Sequence, residues 1–373
     1  MITIKEAKSK KEMKQFVTFP FSLYKNNKYW VPPIIKDEIA SFDKDYNPVF
    51  KQASARFFLA YKDNEIVGRV AAIINHTEVD IQKVKKMRFG WFDVIDDVDV
   101  SKTLLDKVYE IGKANNLEKI EGPIGFSNMD KVGILTKGYD VMGKMATWYN
   151  YPYYVNHLEK LGYTVGKEYL ETVILLKNIQ IEKYIQFAAI LKKRYNYKVL
   201  SFTKSKDILP YVDEMFKIFE DAYSKLPSFV PISDEQVAFF KEKYISFINP
   251  EYVNFVVDSN HKIIAFGIIM PSFAEALQKA NGKLFPFGFF HLLKAKKNHK
   301  NVVSYLIGIH PECQNKGVTA ILFEKLYAAA INNKAEAMLV TPMLKSNDEI
   351  RRIWKKFQPE TTKERCTYTL KID

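Results

Sequence analysis

The sequence predicts an α/β protein, α+β in the arrangement of its strands, built as two tandem units that are each a mixed twisted sheet flanked by helices. Three observations carry that prediction. The chain has 373 residues, more than one hydrophobic core usually organises. Its composition, 47% hydrophobic and 27% charged, is that of a globular protein and excludes disordered, collagen-like and membrane-spanning classes. The order of strand and helix patterns in residues 1–178 returns in residues 179–373.

In the first unit, Phe57 to Lys62 and Glu65 to Ile74 flank Asp63-Asn64 and predict an antiparallel hairpin. Met87 to Val94 predicts a third strand. Val100, Leu104, Leu105, Val108 and Ile111 recur at helical spacing, and Leu117 to Ile120 enters a strand that stops at Gly122-Pro123. Tyr153 to Gly162 reads as a helix ended by glycine, and Leu170 to Leu176 as the strand after it. Gln180 to Tyr197, helical and charged, connects the units. The second unit begins with helices at Ile208 to Tyr223 and Asp234 to Ile248, the latter opened by the capping-box pattern Ser233-Asp-Glu-Gln236. Tyr252 to Val257 and Lys262 to Ile269 restate the hairpin. Val302 to Ile309, a helix from Thr319 to Asn332 and Ala337 to Val340 restate the crossover. A helix from Asn347 to Phe357 and a strand from Cys366 to Ile372 close the unit.

No stretch approaches the 18 apolar residues of a membrane span, and Met1 to Lys11 carries charge where a secretory leader needs an apolar run. The expected location is therefore the cytoplasm, with no membrane partner. Cys313 and Cys366, the two cysteines, exclude a disulfide framework and a zinc site, and no metal is expected. The net charge is +13, of which residues 1–180 hold +4 and residues 181–373 hold +9. The densest cluster, Lys294-Ala-Lys296-Lys297-Asn-His-Lys300, predicts an exposed loop or helix end. Nucleic acid is not an expected partner, because neither aromatic interleaving nor a recognisable module accompanies the charge.

The segment with the most chemistry is Ile309-His-Pro-Glu-Cys-Gln-Asn-Lys-Gly-Val-Thr319, between a strand and a helix. Pro311 ends the strand, and the chain then enters the helix with its first N–H groups unpaired. Several donors and the positive end of the helix dipole then point to one place, which suits a diphosphate. Gly317 lets a phosphate approach the main chain. An ordinary strand-to-helix loop fits the same residues.

The string Ile309-x-Pro311-x-x-Gln314-x-x-Gly317-x-Thr319 resembles the acyl-CoA diphosphate loop of the GNAT superfamily of N-acetyltransferases. The element order of each half is similar to that fold, so the resemblance covers most of the chain as two copies. It implies acetyl-CoA or another acyl-CoA as cofactor, held by Gln314, Asn315, Lys316, Gly317, Val318 and Thr319. It also implies that the strand through Ile307, Gly308 and Ile309 pairs with the pantetheine arm beside a splayed strand at Met338 to Thr341. Thr319 stands where the superfamily prefers glycine or alanine. The resemblance also places Asn347 and Trp354 of the closing motif against the cofactor; Asn347 keeps its place there, whereas Trp354 replaces the tyrosine that in many members protonates the leaving thiolate, and an indole cannot act as that acid. No carboxylate within Val302 to Ile309 offers a base. Catalysis would then rest on proximity and backbone polarisation, with general acid and base unassigned.

The first copy resembles the same fold with its active parts missing. Asp96, Asp97 and Asp99 follow its third strand, where they repel a diphosphate, and Leu158 takes the tyrosine position. Residues 122–150, rich in Gly, Asn and aromatics, are either a contribution to the acceptor site or an inter-domain loop with buried aromatics. Asn128, Trp148, Tyr149 and Tyr305 are the candidate acceptor residues. His291, His310 and Cys313 are weaker candidates, and Phe285-Pro-Phe-Gly-Phe-Phe290 reads as packing or a lid. The expected function is acyl transfer from acyl-CoA, acetyl-CoA first, to an amine on a small molecule or peptide. The alternatives are a non-catalytic CoA- or ligand-binding protein and an aminoacyl-tRNA-dependent transferase. The oligomeric state is not legible in the sequence.

Overall fold

The computed structural model describes residues 1–244, 248–355 and 357–373. The chain begins with β1 (Ile2–Glu6), α1 (Lys10–Leu23) and α2 (Ile35–Ser41). Ser9 and Glu12 close a reciprocal capping box at the start of α1, which satisfies donors that the first helical turn leaves free. The hairpin of β2 (Ala53–Lys62) and β3 (Glu65–Asn75) turns at Asp63 and Asn64, which both adopt positive φ as the expected tight turn requires. Then come β4 (Lys86–Val94), α3 (Val98–Ala114), β5 (Lys119–Gly122), β6 (Ile134–Lys137), α4 (Tyr153–Lys160) and β7 (Thr164–Leu175).

The connection α5 (Ile181–Tyr195) leads to β8 (Lys198–Ser201), α6 (Val212–Tyr223) and α7 (Asp234–Tyr244). The end of the helix expected to reach Ile248 includes residues 245–247, outside the described residues. The second hairpin is β9 (Val253–Val257) and β10 (Ile263–Pro271), followed by α8 (Ala274–Ala280) and α9 (Gly288–Lys297). The chain ends with β11 (Asn301–Ile309), α10 (Val318–Asn332), β12 (Ala337–Val340), β13 (Met343–Leu344), α11 (Asp348–Lys355) and β14 (Glu360–Lys371).

Among the described residues all strands join one sheet in the order β1-β2-β3-β4-β5-β14-β7-β12-β11-β10-β9-β8, with β6 and β13 attached to β14 and β7. This corrects the expectation that each half closes on its own last strand. The terminal strand β14 lies against β5 of the first half, while β7 of the first half lies against β12 of the second. The two exchanged strands pair with each other from Glu360↔Val173 to Thr369↔Thr164, so the halves share one continuous hydrogen-bonded sheet.

Separate apolar clusters pack on this sheet. Leu104, Leu105 and Val108 of α3 bury their stripe against Val70, Phe89 and Ile120. Phe216 and Phe219 of α6 cover Phe255 and Phe266, and α10 buries Phe323, Leu326 and Tyr327 with Trp354 and Met338. At the junction the sheet carries a buried ionic group instead. Glu171 of β7 accepts from Lys144 Nζ at 2.5 Å and from Arg365 of β14, and all three are buried.

Candidate acyl-donor site in the second half

β11 and β12 run parallel only from Asn301↔Ala337 to Ser304↔Val340. After Val340 the chain leaves β11, and Met343-Leu344 pairs with β7. The edge of β11 from Tyr305 to Ile309 therefore opens into a notch. Its register against β10 steps from Ile268↔Leu306 to Ile269↔Ser304, which leaves Tyr305 unopposed in a β-bulge at the mouth. Bonding of His310 N to Ile264 O sets the phase of the antiparallel pair, so the backbone groups of Gly308 point to β10 and those of Ile307 and Ile309 point into the notch. Gly308 is thus a packing residue rather than a pantetheine partner, because a Cβ there would lie 2.3 Å from the Phe266 ring.

Two side chains already meet this edge. Tyr223, the last residue of α6, donates its hydroxyl to Ile307 O at 3.1 Å, and Gln314 Nε2 donates to Ile309 O at 3.3 Å. Burial pushes the Tyr223 phenol up to about 12. His310 Nε2 lies 3.8 Å from Asp221 on the same helix end.

The turn into α10 bends twice through left-handed backbone, at Asn315 (φ 62) and Gly317 (φ 77). A Cβ at Gly317 would also sit 2.7 Å from Leu191 Cδ1 of α5. No side chain caps α10, and among the described residues the N–H groups of Asn315, Lys316, Gly317, Val318 and Thr319 donate to no protein acceptor. Such a run of free donors at a helix start fits a diphosphate. Beside it lies a cavity of about 460 Å³, lined by Tyr184 and Phe187 of α5, Thr319 and Phe323 of α10, and Ile353 and Phe357 at the closing helix.

Two expected cofactor contacts fall elsewhere. Trp354 is 2% exposed and packs its indole against Phe323 at 5.1 Å and Phe357 at 6.1 Å, so it is core. Asn347 caps α11, accepting from Ile350 N at 3.3 Å. Val318 buries its side chain in the core and offers only its N–H.

The acceptor candidates also divide. Tyr305 lies half-buried beside a small hollow that Lys144 to Ala146 and Met270 to Phe273 also line. Asn128 instead ties the halves together by accepting from Val230 N at 3.0 Å. Trp148 packs edge-on against Trp91, and Tyr149 packs on Tyr24 while donating to Tyr139 O. Of the two readings of residues 122–150, the packed loop describes these three residues. Lys144, which sequence reasoning passed over, donates to Val340 O at 2.8 Å, at the last residue of β12 before the notch opens. Lys363 of β14 is brought by burial down to about 7, although Glu171 draws it upward, and it donates to Met142 O. Charged residues at alternate positions, Lys363 and Arg365 in one strand and Glu171 inside the apolar Leu170 to Leu176, were the available signal.

In the first half, the chain's own side chains occupy the corresponding edge. β4 and β5 pair only from Lys86↔Lys119 to Arg88↔Glu121. The open edge beyond them is filled by Tyr154, whose hydroxyl accepts from Val94 N, and by Tyr153, which donates to Val94 O. At the start of α3 the Asp97 carboxylate accepts from Asp99 N, so a fixed anion already occupies the donor position.

No family model matches the chain. It is 24% identical to Protein YghO of Escherichia coli (strain K12) over 98% of this chain and 94% of that protein. It is 22% identical to a bacterial ceramide synthase of Caulobacter vibrioides over 78% of this chain and 76% of that protein. A tandem GNAT protein from the clavulanic acid biosynthesis pathway superposes with a TM-score of 0.61, covering 100% of this chain and 99% of that one at 9% identity. The fold is therefore a tandem GNAT fold, a mixed sheet flanked by helices and built from two copies of one unit.

Proposed function

We propose that the chain is an acyl-CoA-dependent N-acyltransferase, with its donor site in residues 179–373 and a first unit, residues 1–178, that does not bind the cofactor. The observation that carries this reading is the run of unpartnered N–H groups from Asn315 to Thr319 beside the open edge of β11. Acyl-CoA, when bound, supplies an activated thioester. The chain's own groups hold the diphosphate at the start of α10 and the amide-bearing arm along Ile307 and Ile309. Tyr223 keeps a protonated phenol at the notch at neutral pH, in the role that Trp354 cannot fill. The acceptor is an amine approaching past Tyr305. Acetyl-CoA is the simplest donor. The name of the ceramide synthase relative adds long-chain acyl-CoA and long-chain amines to the set, and the cytoplasm, where acyl-CoA is made, is the proposed location.

Calorimetry with acetyl-CoA and palmitoyl-CoA, against wild type and Gly317→Ala, tests the donor site. The substitution forces a side chain into left-handed backbone, at a cost of about 1–2 kcal/mol, and should weaken binding about tenfold. Absence of binding, or equal binding by the variant, refutes the site. Thiol release over a panel of amines tests turnover; binding without release above the uncatalysed rate would establish the non-catalytic alternative.

A further inference from the structure

The segment between β10 and β11 holds the most exposed apolar cluster described. Phe285 is 79% exposed, Phe287 70%, Phe290 64%, Leu293 42% and Phe289 40%. The aromatic run, read from the sequence as packing or a lid, is not packed into a core here. Its root is fixed: Ala274 and Leu277 of α8 pack on Val31, and Gln278 Nε2 donates to Lys28 O and Trp30 O. A firmly held hairpin thus presents rings to solvent, and a contiguous apolar projection of this kind marks an interaction surface.

Its surroundings specify the partner. Residues 273–300 contain six lysines and one acid, Glu275. Lys283 precedes the rings, while Lys294, Lys297 and Lys300 follow them, all exposed. Among the described ion pairs none involves these four. A second copy of this chain would bring two such lysine rims together and be repelled. An anionic lipid surface meets both parts, because rings enter the interface and lysines reach its headgroups. Among the described residues no helix is long and apolar enough to cross a membrane, so the element would lie on the surface rather than span.

We infer that the α8–α9 hairpin docks the protein on anionic membrane surfaces, in place of the expectation of no membrane partner. The docking stands independently of the acyltransferase reading. The hairpin's root, Ser272 and Phe273, lines the same hollow as Tyr305, so docking would set the acceptor side of the notch close to the lipid interface.

Flotation of the full chain with vesicles of phosphatidylcholine, alone or with about 30% phosphatidylglycerol, tests the inference. Wild type should bind the anionic vesicles at least about tenfold better, and lose most of that binding between about 0.1 M and 0.5 M salt. F287S/F290S should bind at least about tenfold more weakly, and K294Q/K297Q should bind more weakly with a shallower salt dependence. All of these side chains except those of Lys294 and Lys297 are apolar, and all four are exposed, so circular dichroism and Tm should match wild type. Equal binding to the two vesicle types overturns the inference, as does full binding by F287S/F290S. So does a concentration-dependent dimer, dissolved by F287S/F290S, in a protein that ignores vesicles.

Discussion

Replacing Glu171 by glutamine keeps its shape and removes its charge. The carboxylate is fully buried between Arg365 and Lys144. Burial pushes it up, yet Arg365 first and Lys144 next outweigh burial and hold it at about 2, against an ordinary 4.5. That displacement corresponds to about 3 kcal/mol in favour of the ionised form. Removing one member of a buried ion pair costs about 3–5 kcal/mol, because the cations left behind have no counterion. Glu171→Gln should therefore lose about 3 kcal/mol in urea unfolding at pH 7. The folded value lies below the unfolded one, so this stabilisation is complete above 4.5 and disappears as pH falls toward 2. Wild type should lose stability across that window, and the variant should lose less. Lys144 also holds Val340 O where β12 departs from β11, so the variant should bind acyl-CoA about tenfold more weakly when the notch edge loosens. A loss under about 1 kcal/mol with an unchanged acid limb would refute the argument that this carboxylate neutralises the junction.

Tyr223→Phe should cost about 1 kcal/mol, as Ile307 O loses its donor, and lower turnover about a hundredfold where the phenol supplies the proton. The folded phenol lies at about 12, above its ordinary 10.0, so its contribution is whole below 10 and lost as pH rises toward 12, a loss that the variant should not show. Unchanged thiol release by the variant removes Tyr223 from the reaction. Ending the chain after Gln358 removes β14, which pairs with β5, β6 and β7. Hydrogen exchange should then lose protection in residues 119–122 and 134–137 of the first half while β9 and β10 keep theirs. Loss beginning in β9 and β10 would contradict the exchanged topology.

Most elements were legible because they obey local rules. The hairpin at Asp63-Asn64 follows from turn residues that tolerate positive φ, and α3 from apolar residues three and four apart. The turn from Pro311 to Thr319 was legible for the same reason: a proline, a glycine and a helix start are all chain-local features. The short elements β1, β6, β8 and β13 and the helices α1, α2, α8 and α9 went unread. Strands of two to five residues carry too few positions to show a period, and Phe285 to Leu293 is apolar without being buried, which defeats any argument from hydrophobicity to core.

By itself the sequence determined the mixed α/β class, the order of strands and helices in each half, and the turn from Pro311 through Gly317 into α10. Only the tertiary structure decided which strand completes which unit, because β7 and β14 have the same length and similar alternation, and pairing between strands is chosen by distant partners. Tertiary structure likewise decided that Trp354 is core, that Tyr223 reaches Ile307, and that Lys144, Glu171 and Arg365 meet. Those contacts join residues tens to hundreds of positions apart. No local pattern encodes such a meeting; the shared sheet produces it.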